Sequence, residues 1–126
     1  MDSHDAAPLA NVITLGVQDL ERSRAFYRAL GWPLVTEDGD LRAFELRGAV
    51  LALFPAAKLA ADGRMVPEAG RGGIRFTLGI MADWREEVDA LAARAERAGG
   101  RVTKAPEDAE FFEGRPAYFA DHEGNV

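Results

Sequence analysis

Few residues in this chain could do chemistry. It has 126 residues, no cysteine and two histidines, His4 and His122. Without a thiol, disulfides, thiolate catalysis and cysteine-held metals are excluded. His4 lies in the short, polar, acidic opening stretch Met1–Pro8, which reads as a disordered tail and lacks the pattern of a signal peptide. His122 stands in Asp121-His122-Glu123-Gly124. By composition that is a metal cluster. Three consecutive side chains rarely converge on one ion, however, and Asp-x-x-Gly is turn chemistry. The turn reading is favoured, and no nucleophile–histidine pair is expected. Two further places invite a functional reading. Arg75 could anchor an anion or a carbonyl inside a cavity, or reach out to pair with an acidic neighbour. Phe111-Phe112, between Glu110 and Glu113, cannot easily both be buried. One of them is expected at the mouth of a pocket, where aromatic faces and acids would suit a flat cationic ligand.

The elements that must position these residues come in two copies. Ile13-Thr14-Leu15-Gly16-Val17 returns as Phe76-Thr77-Leu78-Gly79-Ile80. Each copy leads into a helical pattern, a glycine and a second short strand. A fixed internal period sets the architecture. Two copies are too few for a solenoid and suit two half-domains that build one site between them. In the first half, Asn11–Val17 reads as a strand. Asp19 caps a helix to about Leu30, with Leu20, Phe26, Tyr27 and Leu30 on one face and Gly31 as its stop. Strands follow at 32–37, 41–46 and 49–54, the last two as a hairpin around Arg47-Gly48. Residues 55–73, rich in Ala, Gly and Pro, read as a linker, hinge or lid. In the second half, 74–80 reads as a strand. Asp83 and Glu86 have capping-box spacing, and a helix spans about 84–98. Strands follow at 101–104 and 116–120. The segment Leu51-Ala52-Leu53-Phe54 finds no counterpart in the second copy, so the last strand reads as incomplete.

Composition bounds the function. Apolar residues make up 48% of the chain, enough for one domain with a proper core. The domain reading is a single unit: half 1 about 9–54, linker 55–73, half 2 about 74–126. A net charge of −6 argues against nucleic acid, which calls for a basic face. No apolar run approaches the ~20 residues of a membrane span. A cytoplasmic location is expected by default.

Paired β-α-β-β-β units with these words resemble the vicinal oxygen chelate superfamily, which includes glyoxalase I, bleomycin-resistance proteins and extradiol dioxygenases. The resemblance covers about residues 9 to 126. It rests most on Leu15-Gly16-Val17-Gln18-Asp19-Leu20-Glu21-Arg22-Ser23-Arg24-Ala25-Phe26-Tyr27, then Gly31-Trp32. Gly114-Arg115-Pro116-Ala117-Tyr118-Phe119-Ala120-Asp121 and Glu123-Gly124-Asn125-Val126 look like the family's closing hairpin, with His122 where Pro is common. The implied fold is α+β: two βαβββ halves forming a curved mixed sheet. In metal-dependent relatives, His, Gln or Glu side chains from four strands hold one divalent ion. By resemblance, three of these positions fall on Val12, Ala52 and Arg75, and the fourth would be a Glu beyond Val126. Val and Ala have no lone pair to give. Two units of metal charge about 4 Å from a guanidinium repel by roughly 8 kcal/mol at an effective dielectric near 20.

The expectation is therefore a metal-free, cofactor-free binding protein that sequesters or senses a small molecule, with a displaced-ligand enzyme as the alternative. Strand alternation puts Ile13, Leu15 and Val17 under the helices, and Val12, Thr14 and Gly16 on the opposite face, which the resemblance implies is concave and forms the pocket. The expected ligand-binding residues are Val12, Thr14, Ala52, Arg75 and Thr77, with Phe112 and Tyr118 near the mouth. A homodimer is expected, because sheets in this family are often completed by a partner and an incomplete last strand leaves unpaired backbone groups.

Overall fold

The computed structural model describes residues 7–67, 77–110 and 113–126. The first half folds as β1 (Val12–Val17), α1 (Leu20–Ala29), β2 (Leu34–Asp38), β3 (Leu41–Leu46) and β4 (Ala49–Pro55). These strands form one mixed sheet in the order β1-β4-β3-β2. β1 runs parallel to β4 from Val12↔Val50 to Val17↔Pro55, and the β2–β3 and β3–β4 pairs are antiparallel hairpins. The βαβββ unit expected for this half is present, and the fold is α+β.

Local signals explain the elements. The Asp19 carboxylate accepts the Arg22 backbone N–H at 3.1 Å, satisfying one of the free donors at the start of α1. Gly31, at φ +90°, takes the left-handed conformation that ends that helix. Alternation in β1 holds as expected: Val17 is buried, Ile13 and Leu15 pack against the core, and Val12 and Thr14 are exposed.

The segment 55–73 is not simply a linker. Ala56–Asp62 forms a helix, α2. Alanine has the highest helix propensity of any residue, and four of these seven are alanine. The alanines cluster at 56–61, ahead of the glycines, so a helix forms before the chain breaks at Gly63. Residues 68–76 lie outside the described residues, so the expected strand 74–80 is described only at its end. There, Thr77–Ile80 is not in a strand. The helix expected over 84–98 is α3, which runs Arg85–Arg97. Its cap is Trp84, with no side-chain hydrogen bond, so the Asp83/Glu86 capping box does not form. Instead Glu87 reaches back to the Asp83 N–H at 3.4 Å. β5 (Arg101–Lys104) and β6 (Tyr118–Ala120) pair antiparallel as a separate two-stranded sheet.

The core sits between α1 and the sheet and continues into the second half. Phe44, Leu51 and Leu53 are fully buried beneath α1. Ala95 of α3 joins the same cluster, and Ala98 and Phe119 pack against it. The Phe26 ring meets Tyr27 edge-on at 4.9 Å and lies 6.4 Å from Phe119. The two halves thus share apolar packing on the helix side. Among the described residues, no helix is long and apolar enough to cross a membrane.

Candidate functional site

The face of the first sheet turned away from α1 is floored by small side chains. Thr14 of β1 stands beside Ala52 of β4, and Ala52 beside Ala43 of β3. Val12 stands beside Val50. α2 closes one end of this face. It can do so because position 16 is glycine: a Cβ there would lie 3.1 Å from Ala56 Cα and 3.2 Å from Leu59 Cδ2. Lys58 of α2 pairs with Asp40 in the β2–β3 turn, fixing the helix across the sheet end. The result is a shallow, open floor. Val12 is 62% exposed, whereas Ala52, hemmed in by its neighbours, is only 6% exposed.

Of the seven residues expected to bind a ligand, the structure brings Val12, Thr14 and Ala52 together on this floor. Arg75 and Phe112 lie outside the described residues. Thr77 and Tyr118 are elsewhere. They line a separate cavity of about 1130 Å³, which opens on the core side of β1, where Ile13, Leu15 and Leu51 also reach it. The described residues therefore fall into two groups on opposite faces of β1 rather than one continuous pocket.

The floor does not fit a metal. Valine and alanine offer no donor atom, and a threonine hydroxyl alone is a poor ligand for a transition ion. Among the described residues, no group of three or more His, Asp or Glu side chains is arranged to hold a metal ion.

Asp121-His122-Glu123-Gly124 is a turn, and it performs a structural task that local sequence does not reveal. The Asp121 N–H donates to the Asn125 carbonyl at 2.8 Å, and Gly124 adopts φ +86°. The Asp121 carboxylate, almost fully buried, accepts four hydrogen bonds: Tyr27 Oη at 2.7 Å, the backbone N–H groups of Glu123 and Asn125, and Asn125 Nδ2, each at 2.9 Å. Glu123 reaches the other half. Its carboxylate accepts the Gln18 and Asp19 N–H groups, each at 2.8 Å, just ahead of α1. An anion belongs at the positive end of a helix. His122 Nε2 lies 3.4 Å from Ser23 Oγ. That pair is not a catalytic dyad, because Ser23 is 0% exposed and no substrate could reach its hydroxyl. The turn is a joint that ties the second half to α1. Sequence separation of about a hundred residues hid the contact; the only visible clue was an acid following the histidine.

The model of the Glyoxalase/Bleomycin resistance protein/Dioxygenase superfamily matches residues 9–126. The chain belongs to this superfamily. Solved structures of related proteins agree. A glyoxalase-related enzyme from Fulvimarina pelagi is 31% identical, with a TM-score of 0.80 over 92% of this chain and 82% of that one. A lactoylglutathione lyase from Agrobacterium tumefaciens is 28% identical, with a TM-score of 0.70 over 94% of this chain and 90% of that one. A glyoxalase/bleomycin resistance protein/dioxygenase from Nocardioides shares the fold, with 24% identity and a TM-score of 0.78 over 95% of this chain and 80% of that one. No curated protein matches the sequence. Superfamily membership accounts for the mixed four-stranded sheet and the helix packed on one side of it.

Proposed function

We propose that this superfamily member binds a small molecule without a metal, on the open floor of its first sheet, and so sequesters or senses it in the cytoplasm. The observation that carries this reading is the neighbouring placement of Val12, Thr14 and Ala52. Among the described residues, the positions where relatives would coordinate an ion carry Val12 and Ala52, which have no donor atom, with only the Thr14 hydroxyl beside them. Small floor residues leave room for a flat ligand, and van der Waals contact with the floor would supply most of the affinity. A metal-dependent lyase, isomerase or dioxygenase with displaced ligands is the second reading, favoured by the 28% identity to a lactoylglutathione lyase.

A bulky charge on the floor tests the location. Once a fluorescence screen has found a ligand, Thr14→Arg is expected to weaken it by about tenfold or more, equivalent to ~1.4 kcal/mol. Thr14 is exposed, so the melting temperature should hold. Unchanged affinity in the folded variant would place the ligand elsewhere.

The same floor motivates a homodimer. Val12 at 62% exposure is a poor surface residue, and a partner covering the sheet would bury it and deepen the pocket. Light scattering at micromolar concentration is expected to give twice the 13.7 kDa chain mass. A strictly monomeric mass would remove the partner from the account.

A further inference from the structure

The floor of small side chains ends in an aromatic ring and a charged helix. Along it, β1 and β4 pair as Val12↔Val50, Thr14↔Ala52 and Gly16↔Phe54. Phe54 is half-buried and forms one wall of an open pocket of about 630 Å³. The other walls are Lys58, Leu59, Ala61 and Asp62 of α2. This pocket adjoins the floor and lies apart from the cavity lined by Thr77 and Tyr118.

Lys58 and Asp62 are four residues apart, the helical spacing at which a lysine and a carboxylate can pair. Here they do not pair with each other. The Lys58 ammonium pairs with Asp40 in the β2–β3 turn, which is no part of the pocket wall. Among the described residues, no cation pairs with Asp62. The clasp that fixes α2 thus leaves a carboxylate uncompensated beside an aromatic ring. An aromatic face attracts a cation, and a carboxylate accepts hydrogen bonds from its N–H groups. The chain's net charge of −6 draws cations toward it.

We infer that Phe54 and Asp62 form a subsite for an organic cation: an ammonium group at one end of a molecule whose flat part lies on the Thr14–Ala52 floor. The inference rests on the floor reading and adds the ligand's charge to it. Lys58 is the subsite's internal competitor, since its ammonium would fill the same place if released. Asp40 holds it away. Asp40 is therefore a positioning residue, acting through Lys58 without touching the ligand. An exposed ion pair of this kind is weak, so removing Asp40 frees Lys58 rather than unfolding the chain.

Three probes of similar shape test the subsite: phenethylammonium, phenylpropionate and phenylpropionamide, each titrated into the purified chain and followed by amide NMR. The cation is expected to bind at least tenfold more tightly than the other two and to shift the Leu59 and Asp62 amides. Asp62→Asn should erase that preference. Asp40→Asn should weaken the cation several-fold, and adding Lys58→Gln to it should restore binding. Both of those variants lack the clasp, so restoration separates competition by Lys58 from loss of the clasp. A preference for phenylpropionate, a cation preference that survives Asp62→Asn, or a double variant no better than Asp40→Asn would each overturn the assignment. Thr14→Arg separates it from the floor reading. Full cation preference in that variant would keep the subsite and remove the floor. Equal affinity for all three probes, lost in Thr14→Arg, would keep the floor and remove the subsite.

Discussion

Replacing Asp121 with alanine is expected to remove about 3–5 kcal/mol of folding stability, a large share of what a domain of this size possesses. The carboxylate is nearly fully buried and accepts four hydrogen bonds. Alanine would leave the Tyr27 hydroxyl and the Glu123 and Asn125 amides without their acceptor, and each buried donor left unmade costs about 1–3 kcal/mol. The turn would loosen, and Glu123 would lose its aim at the start of α1. Chemical denaturation measures the loss directly; a change below about 1 kcal/mol would show that this joint does not hold the halves together. The same contact has a signature in pH. Burial first, and then the neighbouring Asp121 charge, push the Tyr27 phenol far above the usual tyrosine range. A group raised in the folded state gives stability that is complete below its unfolded value, about 10, and is lost as pH climbs past it. Stability of the wild-type chain should therefore fall above pH ~10, and Tyr27→Phe should flatten that fall.

Gly100→Ala is the second large effect expected. A methyl at this position would lie 2.7 Å from the Ala120 carbonyl oxygen and 2.8 Å from Phe26 Cε1. The first contact is with backbone of β6, which cannot rotate away. The second is with a ring wedged between Tyr27 and Phe119. Overpacking of this kind costs about 1–3 kcal/mol, and two unyielding neighbours put the expected loss at ~3 kcal/mol. Gly99→Ala makes a useful comparison, since Gly99 has open space around it and is strained only by its φ of +105°. Thermal melts should rank Gly100→Ala as the worse of the two. The opposite ranking would mean that the halves are not packed as tightly as this geometry requires.

The first half was legible because its signals are local. Asp19 and Gly31 bracket α1, alternation marks β1, and the tight turn at Arg47-Gly48 sets the β3–β4 hairpin. The superfamily was legible too, in the words that open the first half and close the second. Three things were not. α2 was hidden in a stretch whose Gly and Pro residues outweighed its opening alanines. The α3 cap shifted because Trp84 is itself still extended and the helix begins only at Arg85, and Glu87 rather than Glu86 is in reach of the Asp83 amide. The inter-half joint depends on Ser23, Tyr27, Asp121 and Glu123 meeting across the chain, and no short-range pattern encodes that. For the site, alternation correctly separated Val12 and Thr14 from Ile13 and Leu15. It could not show that Thr77 and Tyr118 would line a different cavity, because that depends on how the halves dock.

The proposed floor at Val12, Thr14 and Ala52 would hold its ligand without a metal. Elemental analysis of the chain, purified without chelator and supplied during growth with Zn, Ni, Mn and Fe, tests it most directly. The expected result is no stoichiometric transition metal, and ligand binding that is indifferent to added EDTA. One equivalent of any of these metals per chain, with ligand binding lost on its removal, would contradict it.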